Sequence, residues 1–252
     1  MKIHVVVTPL LIDKKELHGS LCVAIDVLRC TSSIVTALCS GAHGVFPCLS
    51  IEEAREKAVT IGVGKALLGG EDKGQHIPGF DLGNSPLEYM DSDKVSGKFL
   101  VTYTSNGTGT IRKTYDASQR DVYIASLINM SAVTKTLMIE LANGKSPGIV
   151  FLCSGRYGHP SAEDLFCAGL LVQEVVDCIK GSAEKIELTD SAVIAAGFAS
   201  GRQEDALRIL STSDHGRFLE SIGFRQDLEF LSRIDIYGAV PVFNGELVIL
   251  SS

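Results

Sequence analysis

Short apolar runs alternate along this chain with stretches whose apolar positions recur every three or four residues. That is a repeated switch between the strand period and the helix period. Apolar runs at 3–7, 21–26, 44–49, 65–68, 99–104, 122–125, 148–153, 239–243 and 247–250 predict strands. Segments 33–40, 51–61, 107–115, 131–143, 162–179, 190–198, 204–210, 216–222 and 228–232 predict helices. Such alternation implies an α/β fold, three-layer α/β/α, on a mainly parallel or mixed sheet. In SIEEAREKAVTIG, Ser50 precedes a helix with Glu53 three residues on, and Ala54, Ala58 and Ile61 share a face. This is the spacing of a capping box. Ser161 and Asp164 repeat the capping logic ahead of the long 162–179 helix. VTYTSNGT and VFLCSGR both run from a strand through a Ser- and Gly-containing turn into a helix. A generic strand-to-helix turn accounts for that echo, whereas a repeated unit would produce two similar lobes. The expected organisation is two lobes, 1–129 and 130–252, the second able to intertwine with the first, around an active-site cleft.

One segment fits neither period. GGEDKGQHIPGFDLGNSPLEY, residues 69–89, is crowded with Gly, Pro, Asp and Asn and follows the apolar run KALL. Its composition predicts a long loop at a strand end, where open α/β folds place ligand chemistry. Glu71, Asp81 and Asn84 offer hard oxygen ligands suited to Mg²⁺. The same residues would equally serve a surface loop that caps helices and turns.

Three further turns carry chemistry. AIDVLRCTSSIVTAL places Asp26 at a strand's C-terminal end, Arg29 just beyond it, and Thr31, Ser32 and Ser33 at a predicted helix start suited to an anion. Asp26 paired with Arg29, and hydroxyls that only cap, is the structural alternative. TYTSNGTGTIRK brings Ser105, Asn106, Gly107 and Thr108 into a glycine-containing turn whose amides can approach an oxyanion. CSGRYGHPSAEDLFCAG sets Arg156 in a Gly-flanked turn after a strand, where a guanidinium can grip an oxyanion with two parallel hydrogen bonds. His159, Glu163 and Asp164 lie in the same stretch, and one of the two carboxylates can reach a metal or act as a base.

Bulk properties narrow the classes. A chain of 252 residues can bury a large core without metal or disulfide staples. Its net charge of −7 argues against broad nucleic-acid binding, which needs clustered Lys and Arg. No apolar run is long enough to span a bilayer, and the N-terminal residues read as a first strand with no signal-peptide core. Seven cysteines, several inside apolar segments (Cys22, Cys39, Cys153, Cys167 and Cys178), without a C-x-x-C pair, read as reduced, buried thiols of a cytoplasmic protein.

Several catalytic classes are absent as motifs: the Walker A loop, G-x-S-x-G, H-E-x-x-H, the C-x₅-R of cysteine phosphatases, and a D-x-D after the first strand. A metal held by carboxylates, with a set of anion-holding turns, remains. DVLRCTSSIVTAL, GGEDKG with IPGFDLGNSPLEY, TSNGT, and SGR with AEDLFCAG together resemble the 2-phosphosulfolactate phosphatase family. These blocks keep their order from Asp26 to Gly169, more than half of the chain; Cys30 stands where a smaller residue such as Ala is expected. The resemblance implies a cytoplasmic Mg²⁺-dependent phosphatase of coenzyme M biosynthesis that converts 2-phospho-3-sulfolactate to 3-sulfolactate and phosphate. The substrate would be a phosphorylated sulfonate or carboxylate, with no nucleic-acid or membrane partner, and the protein would be a homo-oligomer. On that basis Asp26, Arg29 and Arg156 are the expected catalytic residues. Asp26, Glu71 and Asp81 supply the metal ligands, with Asp26 either ligand or nucleophile. Arg29 and the Ser105, Asn106, Gly107, Thr108 turn would hold phosphate, and Arg156 the phosphate or the sulfonate. Alternatives are a phosphatase for another small phosphorylated hydroxy acid, or a non-catalytic anion-binding protein.

Overall fold

Val, Ile, Leu and Cys fill the segments that become the central strands, and those strands are buried on both faces. In the computed structural model, which describes residues 1–144, 146–180 and 185–251, the strands are β1 (Lys2–Val6), β2 (Leu21–Ile25), β3 (Gly44–Cys48), β4 (Ala66–Asp72), β5 (Gln75–His76), β6 (Phe99–Tyr103), β7 (Val122–Ala125), β8 (Gly148–Cys153), β9 (Glu187–Leu188), β10 (Pro241–Phe243) and β11 (Val248–Leu250). The helices are α1 (Lys14–Leu17), α2 (Cys30–Cys39), α3 (Ile51–Ile61), α4 (Ser92–Val95), α5 (Gly107–Ser118), α6 (Met130–Ala142), α7 (Ala162–Ile179), α8 (Asp190–Ala199), α9 (Ala206–Thr212), α10 (Asp214–Ser221) and α11 (Arg225–Leu231). Every strand and helix expected from the hydropathy pattern is present; the short β5, β9, α1 and α4 are additional.

Every residue of β2 and β8 is buried. Leu21, Val23 and Ile25 pack into the large cluster with Phe151, Phe166 and Leu171, while Cys22 and Ala24 enter other clusters. Alternate side chains thus serve opposite faces, and helices cover both, giving three α/β/α layers. No helix among the described residues is long and apolar enough to cross a membrane.

The sheet runs β5-β4-β6-β3-β11-β10-β7-β2-β8-β1-β9. Strands of 1–129 and 130–252 share it, since β8 lies between β2 and β1. Within β4-β6-β3 and within β7-β2-β8-β1-β9 the strands are parallel. Between these groups every join is antiparallel: β7 to β10, β10 to β11, β11 to β3. The two parallel groups therefore run in opposite directions. In a flat sheet their C-terminal ends would lie on opposite edges. Strands rotate by roughly 20–25° at each step, and over the five steps from β2 to β6 this swings the ends toward each other. The C-terminal ends of β2, β4, β6 and β8 consequently meet at one cleft.

Several local expectations are corrected. Glu71 belongs to a strand, because β4 continues to Asp72 and turns back through Lys73 and Gly74, both at positive φ, so that Glu71 pairs with His76. Positive φ at two successive turn residues is the tight hairpin geometry that favours glycine. Ser50 caps α3 as expected, accepting the Glu53 amide at 3.0 Å. Ser161 makes no side-chain cap bond, and the Asp164 carboxylate accepts the amides of two other loops. Cys39 is half-buried and Cys178 is exposed, whereas Cys22, Cys153 and Cys167 are buried.

Candidate active site

Asp26, Leu28, Arg29, Glu71, Gly74, Asn84, Thr104, Ser105, Asn106, Arg156, Tyr157, His215 and Phe218 line one narrow cleft. Asp26 leaves the end of β2 and is almost fully buried. Its Oδ1 accepts the Cys30 amide at 3.2 Å, so the first anion at the start of α2 is the chain's own carboxylate. α2 begins at Cys30, earlier than the pattern suggested, and its hydroxyls face inward. Thr31 donates to the Asp26 carbonyl at 2.8 Å, Ser32 to Val27 at 2.8 Å and Ser33 to Asn84 at 2.8 Å. These three side chains hold loops together; they do not face the cleft.

Burial pushes the Asp26 carboxyl up to about 7. His215 and the Cys30 amide oppose the rise, and the Glu71 and Glu163 carboxylates add to it. Asp164 is also held well above the carboxylate range, first by burial and then by Asp26 and Glu163. Its two oxygens accept the amides of Val27 and Gly155, at 2.8 and 2.9 Å, and so tie the β2 and β8 end loops together.

Glu71 accepts the Ser105 amide at 2.7 Å, the Ser105 hydroxyl at 3.2 Å and the Gly74 amide. Gly107 must be glycine, since a Cβ there would lie 2.3 Å from Cys30 Cβ and 2.5 Å from Asp26 Oδ2. That absence of a side chain lets α5 dock on Asp26. Asn106 Oδ1 accepts the Tyr157 amide at 3.0 Å, joining the β6 and β8 turns. Thr108 does not reach the cleft, because it exchanges hydrogen bonds with Thr104 at 3.1 and 3.2 Å.

Asp81 stands apart from this group. Its Oδ2 accepts the Leu68 amide at 2.8 Å, and its own amide bonds the Leu68 carbonyl, which pins it beside the middle of β4. Asp26 and Glu71 share the cleft without it. Among the described residues, no three His, Cys, Asp or Glu side chains converge as a ready ligand set.

The two arginines differ in state. Arg29 is 3% exposed and pairs with Asp227 Oδ2 at 2.6 Å, not with Asp26. Its guanidinium lies 4.1 Å from the Phe224 ring centroid. Arg156 sits 4.5 Å from the Phe218 centroid and 5.3 Å from that of Tyr157. No carboxylate among the described residues pairs with it. His159 is exposed, and its backbone closes the Arg156 turn through two hydrogen bonds.

Residues after position 200 complete the cleft, and the sequence reading missed all of them. His215 and Phe218 come from α10, Phe224 from the turn before α11 and Asp227 from α11. A Cβ on Gly216 would lie 1.7 Å from the Leu210 carbonyl oxygen, so only glycine lets α10 fold directly back on α9 and present His215. His215 Nδ1 lies 3.6 Å from Glu163 Oε1. Glu163 is 1% exposed, and its Oε2 has no hydrogen-bond partner. The signal in the sequence was faint: a lone His and a lone Asp on short helices, far in the chain from their partners.

An α/β fold that gathers buried carboxylates and aromatic-backed arginines at converging strand ends has the polar cleft of an α/β enzyme. The chain matches the family model of 2-phosphosulpholactate phosphatase over residues 6–246. Relatives named probable 2-phosphosulfolactate phosphatase include one from Clostridium acetobutylicum, 36% identical over 98% of this chain and 100% of its own. Another, from Clostridium perfringens, is 37% identical over 100% of this chain and 98% of its own. A third, from Thermotoga maritima, is 39% identical over 90% and 91%. The chain belongs to the 2-phosphosulfolactate phosphatase family, whose members are phosphoric monoester hydrolases.

Proposed function

We propose that this phosphoric monoester hydrolase is Mg²⁺-dependent and acts on 2-phospho-3-sulfolactate, releasing 3-sulfolactate and inorganic phosphate. The observation that carries the reading is one cleft holding two buried carboxylates, Asp26 and Glu71, opposite an arginine without a carboxylate partner, Arg156. Mg²⁺ commonly takes one or two protein carboxylates and fills its remaining positions with water and substrate phosphate. A two-carboxylate set fits that habit, and like-charge repulsion from Glu71 on Asp26 is what a cation would relieve. Asp26 and Glu71 would hold the ion, which when bound supplies positive charge to the phosphoryl oxygens.

The protein's own groups do the rest. Arg29 is neutralised by Asp227 and held flat against Phe224, so it acts as an oriented hydrogen-bond donor. Arg156, stacked on Phe218, offers its charge and planar fork to an oxyanion. A substrate with phosphate, carboxylate and sulfonate on three carbons would meet its positive charge at Arg156 and at the ion.

Phosphate release from 2-phospho-3-sulfolactate tests the proposal. Exhaustive chelation is expected to abolish release and added Mg²⁺ to restore it. Full activity after chelation would remove the metal from the mechanism. No release from this or any small phosphoester in Mg²⁺ would favour anion binding without turnover.

A further inference from the structure

We propose that His215 is the general acid of the reaction, delivering a proton from Nε2 to the ester oxygen as that oxygen leaves phosphorus. This assignment rests on the hydrolase reading above and names a residue for it. His215 lines the cleft that Asp26, Arg29 and Arg156 share. Its Nδ1 lies 3.6 Å from Glu163 Oε1, so Nε2 is the nitrogen we assign to the substrate. The ring stacks on Phe218, with centroids 6.4 Å apart and planes 30° apart, and Phe218 also carries Arg156. One aromatic side chain therefore contacts both the imidazole and the guanidinium.

Charged groups approach His215 from several elements. Glu163 on α7 faces it directly, and Asp26 interacts with it from the end of β2. Asp214 precedes it on its own helix, and Arg156 is the cation that shares its wall. Glu163 Oε2 is buried without a hydrogen-bond partner among the described residues, and His215 is the basic side chain that faces this carboxylate. At 3.6 Å the contact is longer than a hydrogen bond, so Glu163 biases the ring's orientation without fixing its tautomer. Among the other cleft groups, Glu71 accepts from three donors, the arginines do not release protons, and Asp26 would have given up its proton on holding the ion.

The step balances. The ester P–O bond breaks and its electron pair stays with the departing oxygen. That oxygen forms an O–H bond as the His215 Nε2–H bond breaks. The oxygen of a water molecule forms the new P–O bond and its proton passes to solvent, from which the neutral imidazole is reprotonated. An alkoxide is a poor leaving group, so an alkyl phosphate needs this proton, whereas 4-nitrophenolate departs without it.

The experiment compares the parent with His215→Gln in Mg²⁺ on two probes, 2-phospholactate and 4-nitrophenyl phosphate, alongside melting temperatures. Loss of a general acid is worth roughly a hundredfold or more. The alkyl ester is expected to lose at least that much, and the aryl ester no more than about a tenth of it. Glu163→Gln, which only loosens the ring, is expected to show the same selectivity with a smaller loss. Equal losses on both esters would overturn the assignment alone. Failure of the parent to release phosphate from either ester or from 2-phospho-3-sulfolactate would overturn the hydrolase reading and this assignment together. The parent gives a check that needs no variant: its rates across alkyl and aryl esters are expected to vary little with leaving-group acidity, and a steep dependence would sink the proposal.

Discussion

Asp26 shows how burial sets the behaviour of one side chain. Folded, it keeps its proton up to about pH 7; unfolded, it releases that proton near pH ~4. Between those values the native state binds more protons than the unfolded state, so stability falls as pH rises. Asp164, held high by burial and by Asp26, contributes with the same sign. In chelator, the melting temperature is expected to be higher at pH 5 than at pH 8. Asp26→Asn should shrink that difference while lowering phosphate release by roughly a hundredfold or more, as for loss of a principal electrostatic group. A parent profile that is flat or rises over this range, or a variant that turns over within a fewfold, would show that Asp26 is not the strained centre of the site.

At the scale of elements, the α10–α11 pair matters most. Asp227 on α11 accepts from Arg29 at 2.6 Å and from Ser85 at 2.6 Å, joining the loop before α2 to the loop after β5. Both ends of the Arg29 pair are 2% exposed. Asp227→Ala would leave a guanidinium buried without its counter-charge, which costs about 3–5 kcal/mol. Urea unfolding is expected to show a loss of that size, and a change below about 1 kcal/mol would demote the pair to a minor contact. The sequence made α10 and α11 visible as helices, because apolar period alone marks a buried face. It did not say what that face meets: Arg29 and Asp227 are 198 residues apart, and neither position is unusual for its helix or loop. Turn-rich strand ends were legible for the opposite reason, since glycines and hydroxyls cluster there locally. Asp26, Glu71, Ser105, Asn106 and Arg156 were found that way and share the cleft. Asp81 was drawn in by the same clustering, although its side chain serves the backbone of β4.

For the whole molecule, strand existence was readable and strand order was not. Period and β-branched content fix which segments extend, while pairing is decided by faces and connections that meet only in the fold. β10 and β11 are the sharpest case. As the last two short apolar runs they carry no sign of their place in the sheet, yet they form the antiparallel link between the two parallel groups. That link sets the twist that brings the end of β2 opposite the ends of β4 and β6, and hence Asp26 into a cleft with Glu71 and Ser105. Phe243 and Val248 are fully buried there, and burial of such side chains contributes about 1.5–3 kcal/mol each. At roughly 2–4 °C per kcal/mol for a chain of this size, their loss alone lowers the melting temperature by about 10 °C. Removal of residues 239–252 also strips ladder hydrogen bonds from β3 and β7. The truncated chain is therefore expected to lose its cooperative transition, with near-ultraviolet circular dichroism collapsing and phosphate release abolished. If instead it melts cooperatively within a few degrees of the parent, β3 and β7 do not need the hairpin between them, and the convergence of strand ends must come from the helices.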